Sequence, residues 1–413
     1  MANTYLTRTQ VAGNRQIFTQ SIWFKLTSTA DQVFISSYND ANNYNCFFLE
    51  SGNQVLQVLW KKSGSTAALL NTTRKFRDPS AWYHVVLAVD TTQGTAANRI
   101  KLYVNGVQET SFSTATYPNQ NESIEVNDNN TNQRIGALNT DTFFQGVASY
   151  VAQIDGTQEL PGIFGETDST TGEWKIKTTI TPSVAWGNNG FLILKNGNSL
   201  TDESSNSNNF TLAGGTLTNT KDCPDNVFAT FNPLDTFYTT PTFTNGNTTL
   251  ELNPSGSKDT YVPTTLGMTS GKYYTEAKFI SGVAYTYIGI TDKPATASKI
   301  LGDFTNSVRL RGDDGTTRIN NVASTTLTSF TTNDIIGIAV DLTNLKIYYS
   351  KNGVWMNSAN PSSGTGGLTI TAPDGAYFFA WQCNSGSSVC KYSWNFGNGT
   401  FGTTAVSSAG TNA

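Results

Sequence analysis

Histidine is the side chain that most often moves protons in enzymes, and this chain contains one, His84. It follows Trp82 and Tyr83 and precedes Val85 in an apolar run. A metal site built on two histidines is therefore excluded, and any catalytic triad that uses histidine must use this residue. We expect His84 to be a hydrogen-bonded structural residue of a strand.

Paired carboxylates are the second chemistry to consider, because retaining glycoside hydrolases need two of them about 5–5.5 Å apart. Carboxylates on alternate residues of one strand share a face and can supply such a pair. The nearest pattern here is Glu166-Thr167-Asp168, in a Gly- and Thr-rich segment without a third carboxylate at the spacing required. The sequence therefore predicts that the protein is not an enzyme.

The cysteines give no metal motif. There is no Cys-x-x-Cys and no histidine pair, so a zinc site is not expected. Cys383 and Cys390 are seven residues apart in a strand–turn–strand pattern. They could face each other across a hairpin, and the sequence leaves open whether they form a disulfide.

Calcium is the one metal for which the sequence offers ligands, because this ion takes oxygen from Asp, Asn and backbone carbonyls. Two clusters could supply them, residues 127–130 and the group Asp303, Asp313 and Asp314. Both are more typical of solvated turns. We expect no cofactor, with a calcium ion as the alternative.

Aromatic side chains close to planar amides could bind sugars, since sugars stack on rings and hydrogen-bond to amides. We place four such aromatic residues on loops as ligand-binding candidates: Tyr38, Tyr44, Tyr117 and Trp186. Taken singly, each is more commonly a packing residue. They are therefore predicted as candidate site residues and do not form a motif.

The composition restricts the partners. Of the 413 residues, 14% are charged and 12% are aromatic, and the formal net charge is −4. That composition lacks the excess of positive charge that proteins use to bind nucleic-acid phosphates. No apolar run approaches the roughly 20 residues of a membrane span, so we expect neither nucleic-acid binding nor membrane insertion.

One local pattern occurs twice and indicates the elements that must position these residues. An apolar strand ending in Val-Asp, a loop, an alternating strand and an Asn-Gly turn occupy residues 82–107 and again residues 334–355. Asn-Gly tolerates positive φ at both central positions of a tight hairpin. Short strands separated by turn-rich stretches continue on both sides, which is typical of antiparallel sandwiches.

These patterns predict an all-β fold class: two antiparallel β-sandwiches joined by an irregular connector. We place the first sandwich at residues 1–160, the connector at 161–235 and the second sandwich at 236–413. Few helices are expected, because no segment keeps a 3.6-residue apolar period.

The first segment resembles laminin-G-like, concanavalin A-type jelly rolls. The resemblance is carried by Trp23, WYHV at 82–85 and KLYVNG at 101–106. The last segment is similar to SPRY domains, which are sandwiches that bind proteins through loops. Its marks are GKYYTE at 271–276, IGI at 288–290, DIIG at 334–337, YYSKNG at 348–353 and NFG at 395–397.

Over roughly residues 1–235 the chain also resembles a family of structural proteins encoded by phages. The marks are YLTRT at 5–9, AGNR at 12–15, FRDPSAWYH at 76–84, YVNGVQ at 103–108, FGETD at 164–168 and NPLD at 232–235. The resemblance implies a virion structural protein at the particle surface, either a tail-fibre or receptor-binding component or a capsid decoration.

That resemblance also implies partners. We expect other virion proteins, a host cell-surface glycan or receptor, and a homo-oligomer or multiple copies on the particle. Two classes compete with this interpretation, a glycan-active enzyme of the glycoside hydrolase jelly-roll type and a cellular adhesion module. A cleft of converging carboxylates would favour the enzyme.

Overall fold

A computed structural model describes residues 3–253, 259–282, 285–293, 300–384 and 389–406. In these ranges the chain forms antiparallel strands and two short 3-10 helices, Ala96–Asn98 and Pro161–Ile163. Neither helix has the length and apolar character that a membrane crossing requires. The chain divides into a first unit, residues 1–219 with 223–227, and a second unit, residues 220–222 with 228–413. The predicted all-β class is confirmed.

The strands of the first unit are β1 (Tyr5–Thr9), β2 (Ile17–Leu26), β3 (Gln32–Asp40), β4 (Asn43–Glu50), β5 (Val55–Lys62), β6 (Ser65–Lys75), β7 (Trp82–Asp90), β8 (Ile100–Val104), β9 (Val107–Glu109), β10 (Phe112–Thr116), β11 (Asn132–Ile135), β12 (Gly146–Asp155), β13 (Gly165–Thr167), β14 (Trp174–Ile176), β15 (Phe191–Ile193) and β16 (Thr211–Gly214). Sheet 1 has the order β10-β6-β5-β4-β3-β11-β1-β16. Sheet 2 has the order β15-β12-β2-β7-β8-β9, and β13 pairs with β14.

Sheets 1 and 2 enclose the main core of the first unit. Phe34 of β3 packs on Phe24 of β2 with ring centroids 4.3 Å apart, and Trp60 of β5 packs on Phe18 of β2 at 6.5 Å. All four side chains are buried. Two antiparallel sheets that interdigitate in this way form a β-sandwich, as the sequence predicts.

A third layer covers the outside of sheet 2. Phe164 packs there with Val86 of β7, and Ile176 of β14 packs with Trp23 of β2. The layer comes from the segment predicted as a connector, which also adds β15 and β16 to the edges of sheets 2 and 1. Residues 161–219 therefore belong to the first unit. Their scattered apolar residues cover a sheet face that would otherwise expose apolar surface to water.

The strands of the second unit are β17 (Phe237–Tyr238), β18 (Thr242–Thr244), β19 (Thr249–Leu252), β20 (Asp259–Pro263), β21 (Lys272–Ser281), β22 (Tyr285–Thr291), β23 (Ser307–Arg311), β24 (Thr317–Ile319), β25 (Val322–Ala323), β26 (Ile335–Asp341), β27 (Lys346–Lys351), β28 (Val354–Trp355), β29 (Leu368–Thr369), β30 (Phe378–Asn384), β31 (Cys390–Asn395), β32 (Thr400–Phe401) and β33 (Thr404–Ala405). Sheet 3 has the order β17-β20-β30-β22-β23-β24-β25. Sheet 4 has the order β18-β19-β31-β21-β26-β27-β28, with β29 also on β27, and β32 pairs with β33.

Sheets 3 and 4 share a second core. Trp381 of β30 lies 6.1 Å from Tyr392 of β31, measured between ring centroids. The hydroxyl of Thr286 in β22 donates a 3.0 Å hydrogen bond to the Tyr392 hydroxyl across the same interior. The second unit is therefore also an antiparallel sandwich. Cys383 and Cys390 are buried in it as thiols and do not form a disulfide.

Candidate functional site

His84 lies between sheet 2 and the layer that covers it, and it is completely buried. Its ring stacks between Trp23 at 4.5 Å and Trp174 at 5.9 Å, measured between centroids. The Trp174 indole donates to His84 Nδ1 at 3.0 Å, and Ser21 Oγ lies 2.9 Å from Nε2. Burial lowers the pKa of His84 to about 3.

These contacts define the tautomer. An indole N–H can only donate, so Nδ1 accepts and the neutral ring carries its proton on Nε2. Nε2 therefore donates to Ser21 and has no free lone pair with which to take the proton of the hydroxyl. The Ser21–His84 pair is a structural hydrogen bond and lacks the arrangement of an activated nucleophile.

Of the carboxylate pair considered for hydrolysis, Glu166 lies on β13 and Asp168 directly follows that strand. Lys175 of β14 contacts Glu166 at 3.7 Å and Asp168 at 3.1 Å. The backbone N–H groups of Thr171 and Thr170, together with Lys175, lower the pKa of Asp168 to about 2. A general acid needs a raised pKa, whereas the pKa of Asp168 is lowered.

The first calcium candidate, residues 127–130, is occupied by internal contacts. The Asn127 side chain donates to Asn14 O at 2.8 Å and to Asp155 Oδ1 at 2.9 Å, and it accepts from Gln153 at 2.8 Å. Asp128 pairs with Arg15 at 3.0 Å. The side chains of Asn127 and Asp128 are thus already engaged within the fold.

The second calcium candidate has arginine partners. Asp303 pairs with Arg318 at 2.7 Å, and Arg311 contacts Asp313 at 2.5 Å and Asp314 at 3.3 Å. Over the ranges that the structure describes, no group of three or more His, Cys, Asp or Glu side chains is arranged to hold a metal ion.

Two of the four aromatic candidates come together. Tyr38 and Tyr44 were expected on loops, but they lie within β3 and β4 and are directly opposite each other in the register. Their rings stack with centroids 6.0 Å apart and an interplanar angle of 24°. Both are half-buried. The loop assignment was wrong because the tight turn at residues 41–42 lets both strands continue past the tyrosines.

The tyrosine pair is the centre of a longer row. Opposite residues in the register of sheet 1 run Thr9, Asn132, Tyr38, Tyr44, Lys61, Thr66 across β1, β11, β3, β4, β5 and β6. All six are exposed or half-exposed, whereas the alternating residues Gln133, Ser37, Asn45 and Trp60 are buried. We call these six residues the outer row. At about 4.8 Å per strand it extends about 24 Å.

Arg134 lies beside the row, two residues along β11 from Asn132. Its guanidinium carbon is 5.6 Å from the centre of the Tyr38 ring, a cation–π distance. Only 9% of the residue is exposed. Its Nε and Nη1 atoms are buried and have no hydrogen-bond partner in the described structure. Burial lowers the pKa of Arg134, and the nearby Tyr5 and Tyr38 act in the opposite direction.

An open depression of about 420 Å³ adjoins the β1 end of the row. It is lined by Thr7, Arg8, Thr9, Asn132, Thr211 and residues 207–209. The 207–209 loop is held in place, because Asn208 donates to the carbonyls of Asn188 and Gly190 and its N–H donates to Asp202. The lining offers hydroxyl, amide and backbone groups suited to hydrogen-bonding a polar ligand.

Tyr117 and Trp186 do not join this site. Tyr117 directly follows β10 and packs against the main core. Trp186 packs against the apolar cluster on the outside of sheet 2. The sequence reasoning also missed Asn132, Lys61 and Arg134. Alternation of exposed and buried residues along each strand could have indicated them, but their neighbours in the row depend on pairings far apart in sequence.

Comparison with known proteins supports the fold of the first unit. Residues 2–156 match the family described as the concanavalin A-like lectin/glucanases superfamily. No curated protein matches the chain.

Solved structures with similar parts include SPRY domains. The SPRY domain of human HERC1 is 19% identical, with a TM-score of 0.34, over 40% of this chain and 98% of that one. Another human SPRY domain is 20% identical, with a TM-score of 0.29, over 36% of this chain and 92% of that one. The sequence match and the two packed sheets agree on a concanavalin A-like jelly-roll fold for the stretch 2–156.

Proposed function

We propose that this protein is a non-catalytic binding protein whose first unit holds an extended glycan along the outer row. The observation that carries the proposal is the stacked pair Tyr38–Tyr44, flanked by Asn132 on one side and Lys61 on the other. Stacked aromatic faces with amide, hydroxyl and amino groups on either side match the alternating apolar faces and hydroxyl edges of sugars.

The two outer faces of the first sandwich differ in a way that favours this surface. Sheet 2 is covered by residues of the 159–186 region, so its outside is a buried apolar layer. Sheet 1 carries the outer row and the adjoining depression on its outside. An extended row of exposed side chains suits a long polymer, which can make many weak contacts across the strands.

The non-catalytic part of the proposal is supported by the states of the candidate reactive groups. His84 is held as a neutral donor to Ser21, and the Lys175 ammonium contacts both Glu166 and Asp168. Neither set supplies the general acid that glycoside hydrolysis needs. Incubation with the bound polysaccharide should therefore release no new reducing ends. Release of reducing ends would favour the glycoside hydrolase alternative.

The cellular context of the proposal is the surface of a phage particle. It rests on the sequence resemblance over residues 1–235 alone, which implies a tail-fibre, receptor-binding or capsid-decorating role beside other virion proteins. Low charge and many Asn, Thr and Gly residues suit such a surface part. Mass spectrometry of purified particles tests it, and absence of the chain from the particles would refute the virion role.

Glycan binding is tested with tyrosine variants of the full chain. Tyr38→Ala and Tyr44→Ala should each weaken binding to a polysaccharide ligand about tenfold, which corresponds to about 1.4 kcal/mol. Tyr273→Ala is the matched control, because Tyr273 is an exposed strand tyrosine of the second unit. Equal affinities for all three variants would refute the outer row as the binding surface.

A further inference from the structure

The tyrosine pair of the outer row has a positively charged side chain on each side. Arg134 packs against Tyr38 from β11, and Lys61 lies opposite Tyr44 on β5. From β11 to β5 there are three strand spacings, or about 14 Å. Two positive charges therefore bracket the stacking surface on which a sugar would lie.

Neither cation has a carboxylate partner in the described structure. The Lys61 ammonium donates to Thr66 Oγ1 at 2.9 Å, and Arg134 keeps two buried N–H groups without an acceptor. Buried donors without acceptors cost free energy and are uncommon in native proteins. Some other cations of the same unit do have carboxylate partners, for example Lys62 with Glu122 and Arg74 with Glu109.

The chain does not lack carboxylates, since acidic residues outnumber Lys and Arg by 30 to 26. Yet the six strands of the row contain just two, Asp40 and Glu50. Asp40 accepts hydrogen bonds from the Asn42 N–H and the Asn43 amide in its own turn. Glu50 accepts from the N–H groups that follow β4, at the end of the strand away from Tyr44.

Arg8, in the adjoining depression, is a contrasting case. Its guanidinium donates to Gln133 Oε1 at 2.9 Å and to Asn189 at 3.0 Å. Asp202 and Asp155 lie close enough to stabilise its charge. The fold supplies hydrogen-bond acceptors to the Arg8 guanidinium. The lack of acceptors at Arg134 is therefore not common to the arginines of this sheet.

We infer that the ligand of the outer row is an acidic polysaccharide, whose carboxylates bind Arg134 and Lys61 while its sugar rings stack on Tyr38 and Tyr44. The inference rests on the proposed glycan-binding function and specifies its ligand class. A guanidinium binds a carboxylate through paired, charge-assisted hydrogen bonds. Such a ligand supplies the negative charge that neither Arg134 nor Lys61 has as a partner within the described structure.

The test uses one polymer in two charge states. Polygalacturonate and its methyl-esterified form share a sugar backbone, but only the first carries carboxylates. The full chain should bind the acidic form at least about tenfold more tightly, by isothermal titration calorimetry at fixed salt. That preference should shrink as salt is raised, because exposed charges are screened.

Charge-removing variants test the two cations separately. Arg134→Gln and Lys61→Gln should each reduce the affinity for polygalacturonate about five- to tenfold and change the affinity for the ester less than about twofold. Arg77→Gln and Lys75→Gln are matched controls, because both residues are exposed near the other end of β6. If Arg134→Gln fails to fold, Lys61→Gln and Arg134→Lys still test the charge preference.

The outcomes separate the two proposals. Equal binding of both polymers, with loss of binding in the tyrosine variants, would overturn the acidic-ligand inference and leave glycan binding supported. An unchanged preference in Lys61→Gln and Arg134→Gln would also overturn it. Failure to bind these polymers or any neutral polysaccharide would overturn both.

Discussion

Acidification should destabilise the first unit through one residue, His84. Burial between Trp23 and Trp174 lowers its pKa from the ordinary value of 6.5 to about 3. The native state therefore keeps the ring neutral at pH values where the unfolded chain binds a proton. Below pH 6.5 the unfolded state binds more protons, so stability falls as the pH falls toward 3.

The magnitude follows from the two pKa values. The full shift of about 3.5 units corresponds to about 5 kcal/mol once the pH is below 3. Between pH 7 and pH 5 the same expression gives a loss of about 2 kcal/mol in the free energy of unfolding. That is a large part of the 5–15 kcal/mol typical of a domain.

Two measurements check this prediction. Because the chain has a single histidine, selective isotope labelling gives one imidazole signal in NMR spectra. The chemical shift of that signal should be that of a neutral ring from pH 7 to pH 4. Urea unfolding monitored by hydrogen exchange of β7 peptides gives the stability of the first unit. His84→Gln is the reference, because it removes the titrating group and keeps a donor and an acceptor.

The comparison with His84→Gln is needed because other buried groups titrate with the opposite sign. Burial raises the pKa of Glu125 and Asp155, so the native state binds those protons first as the pH falls. Their contribution cancels in the difference between the two proteins. An imidazole that titrates near pH 6.5 in the folded chain, or a difference that stays constant between pH 7 and pH 5, would refute the reasoning.

Four further outcomes are expected. Trp174→Phe removes the donor to His84 Nδ1 and should lower the urea stability of the first unit by about 1–3 kcal/mol, whereas an unchanged midpoint would contradict that bond. Of the four thiols, Cys223 alone is not buried, so a thiol reagent should label one cysteine quickly in the native chain and four after denaturation. Gly289→Ala places a Cβ 1.9 Å from Val308 O and should destabilise the second unit by about 1–3 kcal/mol; a shift below about 0.5 kcal/mol would contradict this. A chelator should move neither melting transition by more than about 1 °C, and a larger drop would indicate a bound metal ion.

The fold class was predictable because it depends on local chemistry. Period-two alternation and turn residues mark strands wherever one sheet face is buried. The place of residues 161–219 as a layer on the outside of sheet 2 was not predictable in the same way. Residues such as Phe164 and Ile176 have little periodicity of their own, and their burial depends on the outside of sheet 2, which is assembled from β2, β7 and β12.

The candidate site was predictable only in part, for a related reason. Tyr38 and Tyr44 are six residues apart and meet across one tight turn, so local reasoning could select both. Asn132 and Arg134 reach them through a pairing of β11 with β3 that spans almost a hundred residues. A one-residue slip in that pairing would turn both side chains to the other face, and the sequence of either strand alone does not fix the register.

The repeated Asn-Gly hairpin shows where local chemistry does determine a long-range feature. Asn105 and Gly106 have φ of 47° and 80°, and Asn352 and Gly353 have φ of 50° and 82°. In each case the asparagine N–H donates to the carbonyl of a residue at or near the start of the apolar strand, β7 or β26, and its side-chain oxygen accepts from the N–H of that same residue. In the first unit this residue is His84 of β7, so Asn105, which begins the turn between β8 and β9, also holds the backbone of the buried histidine. The second unit has Ile335 at the same place. Both sandwiches therefore contain this pair of asparagine hydrogen bonds. Because only the first unit has a histidine at this position, the acid sensitivity predicted above should belong to the first unit alone.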